Sequence, residues 1–146
     1  MKPALLDVNA LIALMWPAHE FHDAAQKWFK KSARRGWATC PFTEVAFVRI
    51  VSNPAFSRHA VKPVEALDLL SESLKHEHHQ FWKDEVPFSR AAADFRSRLT
   101  GHLQVSDCYL LGLAVYHKAS LATFDDRLVS LAGQANMETV ELITTT

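Results

Sequence analysis

The sequence predicts an α/β domain in which helices cover both faces of a mostly parallel sheet of four to five strands. Two observations carry that expectation. Short apolar runs alternate along the chain with segments whose apolar residues recur at helical spacing, the pattern of strands joined by helical crossovers. The 146 residues suit one domain with one core, and hydrophobic residues at 49% with charged residues at 22% are ordinary for a soluble globular protein. No internal repeat, linker or biased tract divides the chain, so the expected domain spans 1–146.

Ala4-Leu5-Leu6 is a brief apolar run that stops at Asp7. A short buried strand therefore feeds a helix over Val8 to Met15 and leaves Asp7 at the strand's carboxyl end. From Phe21 to Lys31, residues Phe21, Ala24, Ala25, Trp28 and Phe29 share one helical face with Lys27, Lys30 and Lys31 largely off it, and Gly36 ends that helix. Trp37 to Cys40 is the second strand. Pro41 to Val51 is the helix after it, with proline suited to the first position and Glu44 in the first turn. Val64, Leu67, Leu70 and Leu74 mark a further helical face, closed by the His76 to His79 tract, which reads as a solvated turn. Gln80-Phe81-Trp82 is the third strand. Ser89 is placed to cap a helix through Leu99, and Ser106 to cap the next, from Asp107 to His117. Ser120 to Thr123 is the fourth strand, ending at Phe124-Asp125-Asp126, and Glu138 to Ile143 the fifth.

Several classes of function are excluded. The 16 Lys and Arg balance 16 Asp and Glu, so the whole-molecule field favours neither a polyanion nor a membrane surface, and any such partner must be held by local patches. Cys40 and Cys108 form no CxxC pair and make at most one bridge, which excludes a disulfide scaffold or a Cys-rich zinc site and fits a reducing cytoplasm. The longest apolar stretch, around Leu110 to Val115, is far short of the roughly 18 residues that span a bilayer. Asp7 and Asn9 interrupt what would be the apolar part of a signal peptide. No GxxxxGKS/T loop or GxGxxG turn occurs among the 4 glycines, and no base stands beside either cysteine to recommend covalent hydrolysis.

Four acids abut apolar segments while the other carboxylates lie among polar residues. Asp7 and Asp125 fall at the carboxyl ends of two strands, and Glu44 and Asp107 in the first turns of two helices, on the rim where open α/β sheets build their sites. Taken singly, Glu44 and Asp107 could merely complement helix starts, and Asp125 could cap the helix after its strand. Asp7 has no basic neighbour in sequence. If the four converge, each pair repels by roughly 4 kcal/mol at 4 Å in an effective dielectric near 20, so the cluster must take up protons or cations. All-oxygen ligation points to Mg²⁺ or Mn²⁺, which lowers the pKa of a bound water and neutralises charge on a leaving oxygen, the chemistry of phosphodiester hydrolysis.

The residues around these acids resemble a known family. Leu5-Leu6-Asp7-Val8-Asn9-Ala10-Leu11-Ile12, Thr43-Glu44-Val45, Ser106-Asp107-Cys108-Tyr109-Leu110 and Ala122-Thr123-Phe124-Asp125-Asp126-Arg127-Leu128 resemble, in order, the acidic motifs of PIN domains, especially VapC-type toxins. Trp16-Pro17-Ala18-His19, Ser52-Asn53-Pro54-Ala55 and Phe81-Trp82-Lys83-Asp84 are similar to a VapC subgroup. The resemblance covers nearly the whole chain and implies a three-layer α/β/α PIN-like domain. It further implies a Mg²⁺- or Mn²⁺-dependent endoribonuclease with Asp7, Glu44, Asp107 and Asp125 as its catalytic and metal-binding quartet. Its substrate would be transfer or ribosomal RNA, its partners a VapB-type antitoxin and a second copy of the chain, and its place the cytoplasm. Asn9 becomes a polar group near Asp7, and Thr123 a hydroxyl that orients the metal site or its water. Asp125 is preferred to Asp126 because it falls two residues after Thr123.

Arg49, about one turn beyond Glu44, either pairs with that acid or meets an RNA phosphate. The basic segment Lys27, Lys30, Lys31, Arg34 and Arg35 reads as a solvated helix face, and His19 with His22 as exposed helix rather than a transition-metal site. Two other functions remain open: a housekeeping PIN nuclease of RNA maturation or DNA-flap processing, and a non-catalytic protein-binding module whose acids are structural.

Overall fold

The computed structural model describes residues 1–145; Thr146, the last residue of the expected domain, lies outside the described residues. Five strands form one sheet: β1 (Ala4–Leu6), β2 (Trp37–Thr39), β3 (His79–Phe81), β4 (Ser120–Thr123) and β5 (Val140–Leu142). All pair in parallel, in the order β3-β2-β1-β4-β5. The helices are α1 (Val8–Met15), α2 (His22–Ser32), α3 (Pro41–Val51), α4 (Pro63–Ser73), α5 (Phe88–Ala91), α6 (Val105–Tyr116) and α7 (Arg127–Ala132), with 3-10 turns over Ala33–Arg35, Ala93–Arg98, His102–Gln104 and Gln134–Thr139.

Period-two alternation along β1 builds the layers. Ala4 and Leu6 pack with Leu11, Ile12, Phe47 and Leu70 under α1 to α4, whereas Leu5 packs with Leu121, Phe95, Leu110 and Leu113 under α5 to α7. The three interior strands, β2, β1 and β4, are wholly buried, as expected for a parallel sheet covered on two faces. Each fully buried leucine contributes about 1.5–3 kcal/mol, so the two cores fix the register of strands only three or four residues long. The chain winds outward from β1 through β2 to β3 and then returns to add β4 and β5 on the other side. Strand order thus reverses at β1, and a crevice opens past the carboxyl ends of β1 and β4.

The structure departs from the sequence reading at element ends. The helix expected to be capped by Ser89 and to run through Leu99 starts two residues earlier, capped at Pro87, so Ser89 lies inside α5 and caps nothing. It then tightens to a 3-10 turn that carries Phe95 into the core and brings Arg98 to the carbonyls of Leu131 and Ala132. Ser106 likewise lies inside the first turn of α6, because Gln104 takes the N-cap position without a side-chain bond to the helix. The strands expected at 80–82 and 138–143 are His79–Phe81 and Val140–Leu142. The second helix is displaced by one residue, and Gly36, at φ 99°, ends the 3-10 turn that follows it. The histidine tract is packed rather than solvated: His76 lies edge-on to Phe29 and accepts the Trp37 indole N–H, and His79 opens β3. No helix among the described residues is long and apolar enough to cross a membrane.

At Gly112 helix α6 approaches α5 so closely that an added Cβ would lie 2.2 Å from the carbonyl oxygen of Ala91. Gly112→Ala is expected to lower stability by about 1–3 kcal/mol in urea unfolding. Gly101→Ala, whose methyl meets nothing within 4 Å, should change it by less than about 0.5 kcal/mol.

Candidate active site

Asp7 is the first residue beyond β1. Its N–H extends the ladder to the Ala122 carbonyl at 3.1 Å, and its Oδ1 caps α1 by accepting the Ala10 N–H at 2.8 Å. Its Oδ2 accepts the Thr123 hydroxyl at 2.5 Å. Thr123, at the end of β4, also accepts the Asp125 N–H at 3.0 Å, so its single hydrogen is left for Asp7. Both carboxylate oxygens are thereby fixed in a residue only 5% exposed. Burial drives the Asp7 pKa up to about 7; the bonds from Thr123 and Ala10 oppose the rise, and the charges of Asp107 and Asp125 add to it.

Asp107 comes from the first turn of α6, and its pKa is pushed to about 6 by burial and then by Asp125, with Arg127 opposing. Asp125 behaves oppositely. The Arg127 guanidinium holds it below the ordinary carboxylate range, with Nε 3.0 Å from Oδ1 and Nη2 2.8 Å from Oδ2. The three aspartates line one cleft of about 650 Å³ at the switch point of the sheet, together with Asn9 and Arg49. Its apolar lining includes Ile12, Ile50 and Phe56. Asp126 is exposed at the N-cap position of α7.

Of the four acids read from the sequence, the structure brings Asp7, Asp107 and Asp125 together and turns Glu44 elsewhere. Glu44 sits in the first turn of α3, but its Oε2 accepts the hydroxyl of Thr39 at 2.7 Å, and that hydroxyl lies 2.7 Å from Nε2 of His79. A carboxylate only accepts and Thr39 has one hydrogen, so His79 donates to Thr39. The physical reason for this placement is local: Thr39 offers a donor, whereas the aspartates offer like charge. Asn9 lies on the cleft as expected for a neighbour of Asp7, but its Oδ1 is engaged by His19 at 2.9 Å. Arg49 has no ion-pair partner among the described residues. Sequence reasoning missed Arg127, Thr39 and His79. The Asp-x-Arg spacing at 125–127 was a usable signal; the pairing across β2 and β3 had none.

Among the described residues, no three His, Cys, Asp or Glu side chains close into a ready-made metal cage. The donor set nevertheless fits a hard divalent cation that keeps much of its water: it is all carboxylate, and two of its members carry pKa values raised by burial and mutual charge.

Fold and site together define an α/β protein with an acidic cleft at its topological switch point. The chain belongs to the PIN-domain family, whose model matches residues 4–134. It is 41% identical over 140 residues to Ribonuclease VapC39 of Mycobacterium tuberculosis, covering 96% of this chain and 99% of the relative. It is also 39% identical over 129 residues to Ribonuclease VapC44 of the same organism, covering 88% and 90%. The fold is similar to a chain in the crystal structure of VapBC2 from Rickettsia felis bound to a DNA fragment from their promoter. That likeness has a TM-score of 0.69 at 13% identity, covers 97% of this chain and 99% of that one, and bears on the fold alone.

The raised Asp7 pKa fixes the sign of a pH effect. The folded protein holds the Asp7 proton up to about pH 7 and an unperturbed carboxyl only to about 3.8, so between these values the folded state binds more protons and stability falls as pH rises. In chelator, urea unfolding at pH 5 and pH 8 should show that loss, with Asp7 accounting for on the order of 2.5 kcal/mol between the two. Asp7→Asn should flatten the profile and raise stability at pH 8.

Proposed function

We propose that the protein is a metal-dependent endoribonuclease acting as the toxin of a type II toxin-antitoxin system. The observation that carries this reading is the gathering of Asp7, Asp107 and Asp125 in one cleft with only Asp125 ion-paired to a cation of the chain. The similarity to proteins named VapC ribonucleases supports RNA, transfer or ribosomal, as the substrate. The same reading takes a VapB-type antitoxin and a second copy of this chain as partners, and the cytoplasm as the place of action.

Mg²⁺ or Mn²⁺ would be held by Asp7, Asp107 and Asp125 and would supply activation of water and neutralisation of the leaving oxygen, with Glu44, turned toward Thr39 off the cleft lining, as an outlying fourth acid. The chain's own residues supply orientation. Thr123 and the Ala10 N–H fix the plane of the Asp7 carboxylate, and Arg127 keeps Asp125 ionised and stationary. Glu44, held through one oxygen by Thr39, keeps its other oxygen to accept a proton or a cation. The apolar lining from Ile12 and Ile50 lowers the local dielectric, which strengthens each of these interactions.

Purified protein should cut defined tRNA or rRNA with Mg²⁺ or Mn²⁺ and lose the activity in chelator. Asp7→Asn should lower kcat/KM by about a hundredfold or more with its circular dichroism unchanged. Unimpaired cutting by that variant would reject the mechanism. Mn²⁺ should also raise the Tm, by the equivalent of about 2.7 kcal/mol at one hundred times its Kd. Absence of both activity and shift would favour a protein-binding module.

A further inference from the structure

The cleft that holds the aspartates also exposes two asparagines, and hydrogen-bonding logic settles how each amide faces. The backbone N–H of Phe21 donates to Nδ1 of His19 at 2.9 Å, so the ring hydrogen sits on Nε2. Nε2 lies 2.9 Å from Oδ1 of Asn9 and donates to it. Burial lowers the His19 pKa, which keeps the ring neutral and this tautomer in place. The group that Asn9 has left to present to the cleft is its amide nitrogen, with two N–H donors. Asn53 repeats the arrangement: its Oδ1 accepts the Ala55 N–H at 2.9 Å, which leaves its amide nitrogen for the same cleft. Arg49, without an ion-pair partner, is on that lining as well, whereas Arg127 is already bound to Asp125.

The position of His19 is braced. Its ring lies 5.7 Å from that of Phe21, which stacks at 5.0 Å on Phe124, the residue between Thr123 and Asp125. A polyanionic strand entering this cleft meets carboxylates at the strand ends, so its phosphates need donors on the part of the lining supplied by α1, α3 and the turn after α3. Asn9, Arg49 and Asn53 are the donors that stand there.

We propose that Asn9, Arg49 and Asn53 form a phosphate-binding rim for the RNA strand, and that His19 is a positioning residue that turns the Asn9 amide toward it. The inference rests on the ribonuclease reading and adds to it where the strand is held. Phosphate contacts of this kind place a strand without reading its bases.

The test is fluorescence anisotropy of a labelled single-stranded RNA in chelator, with the parent protein and with Asn9→Ala, Asn53→Ala, Arg49→Gln, His19→Ala and His19→Gln. Asn9→Ala and Asn53→Ala should each weaken the Kd about tenfold, as expected for a hydrogen bond to a charged group. Both side chains are exposed, so folding should survive, and thermal melting checks it. Arg49→Gln should weaken binding and also reduce the salt slope by about 0.7, while the asparagine variants leave that slope unchanged. His19→Ala should reproduce part of the Asn9→Ala loss, and His19→Gln, whose Nε2 donates to Asn9, should restore it. The Mn²⁺-induced rise in Tm should be the same in all three of the Asn9, Asn53 and His19 variants, which separates strand binding from the acid site. A parent that cuts RNA, with Kd values for Asn9→Ala and Asn53→Ala equal to its own, overturns the rim alone. A loss in Asn9→Ala with none in His19→Ala overturns the role of His19. A parent that neither binds nor cuts RNA overturns the ribonuclease reading and the rim with it.

Discussion

The hydroxyl of Thr123 joins the two strand ends on which the site depends. It donates to Asp7 past β1 and accepts from the Asp125 N–H past β4, so one side chain sets the position of two acids. That arrangement is available only because β1 and β4 are neighbours, and they are neighbours only because the chain reverses its strand order at β1. Taking a carboxylate out of water is unfavourable by several kcal/mol even after relaxation. The Thr123 and Ala10 bonds offset part of this for Asp7, and the remainder is visible as a pKa near 7. The two fully packed faces of the sheet hold an acid where its charge is unwelcome, a local conflict of the kind found at functional sites.

The three aspartates are not equivalent. Asp125 is forked by Arg127 and stays ionised, whereas Asp7 and Asp107 are burdened by burial and by neighbouring negative charge. A proton or a divalent cation gains most at the pair that no guanidinium hydrogen-bonds, so the cleft has a direction, from the compensated acid at its α7 side to the less compensated ones at β1 and α6. Glu44 stands outside this field on the β2 side, tied to Thr39. The carboxylates thus form a graded set rather than a symmetric cage.

Much of this was legible in the sequence. Apolar runs stopping at Asp7 and at Phe124-Asp125 placed two acids at strand ends, and helical periodicity placed Asp107 and Glu44 in first turns, because burial of a three-residue strand or a helix face leaves a strong local signature. The direction of a flexible side chain leaves none. Glu44 chooses Thr39, five residues before it, through a contact completed by His79 from the edge strand, and no spacing rule links those positions. Ser89 and Ser106 illustrate the same limit for caps. Both have the right chemistry two residues past the actual N-cap positions, which Pro87 and Gln104 occupy. The histidines between 76 and 79 looked solvated because their sequence neighbours are polar, yet Trp37 and Phe29 reach them from elements some forty residues away, a separation given by the 39 positions between Trp37 and His76.

Apart from Arg127, the side chains that orient these acids are neutral. A cluster of carboxylates can be oriented by cations, but a cation that orients also cancels charge, as Arg127 does for Asp125. Hydroxyls and neutral imidazoles orient without cancelling. Thr123 serves Asp7 in this way, Thr39 backed by His79 serves Glu44, and His19 serves the amide beside Asp7. Burial lowers the pKa of both His19 and His79, so the packing that places these rings also keeps them uncharged. Threonine and partly buried histidine thus hold these acids still while preserving the negative potential of the cleft, on which the proposed metal-dependent chemistry would draw. Arg127, by contrast, trades part of that potential for a fixed Asp125.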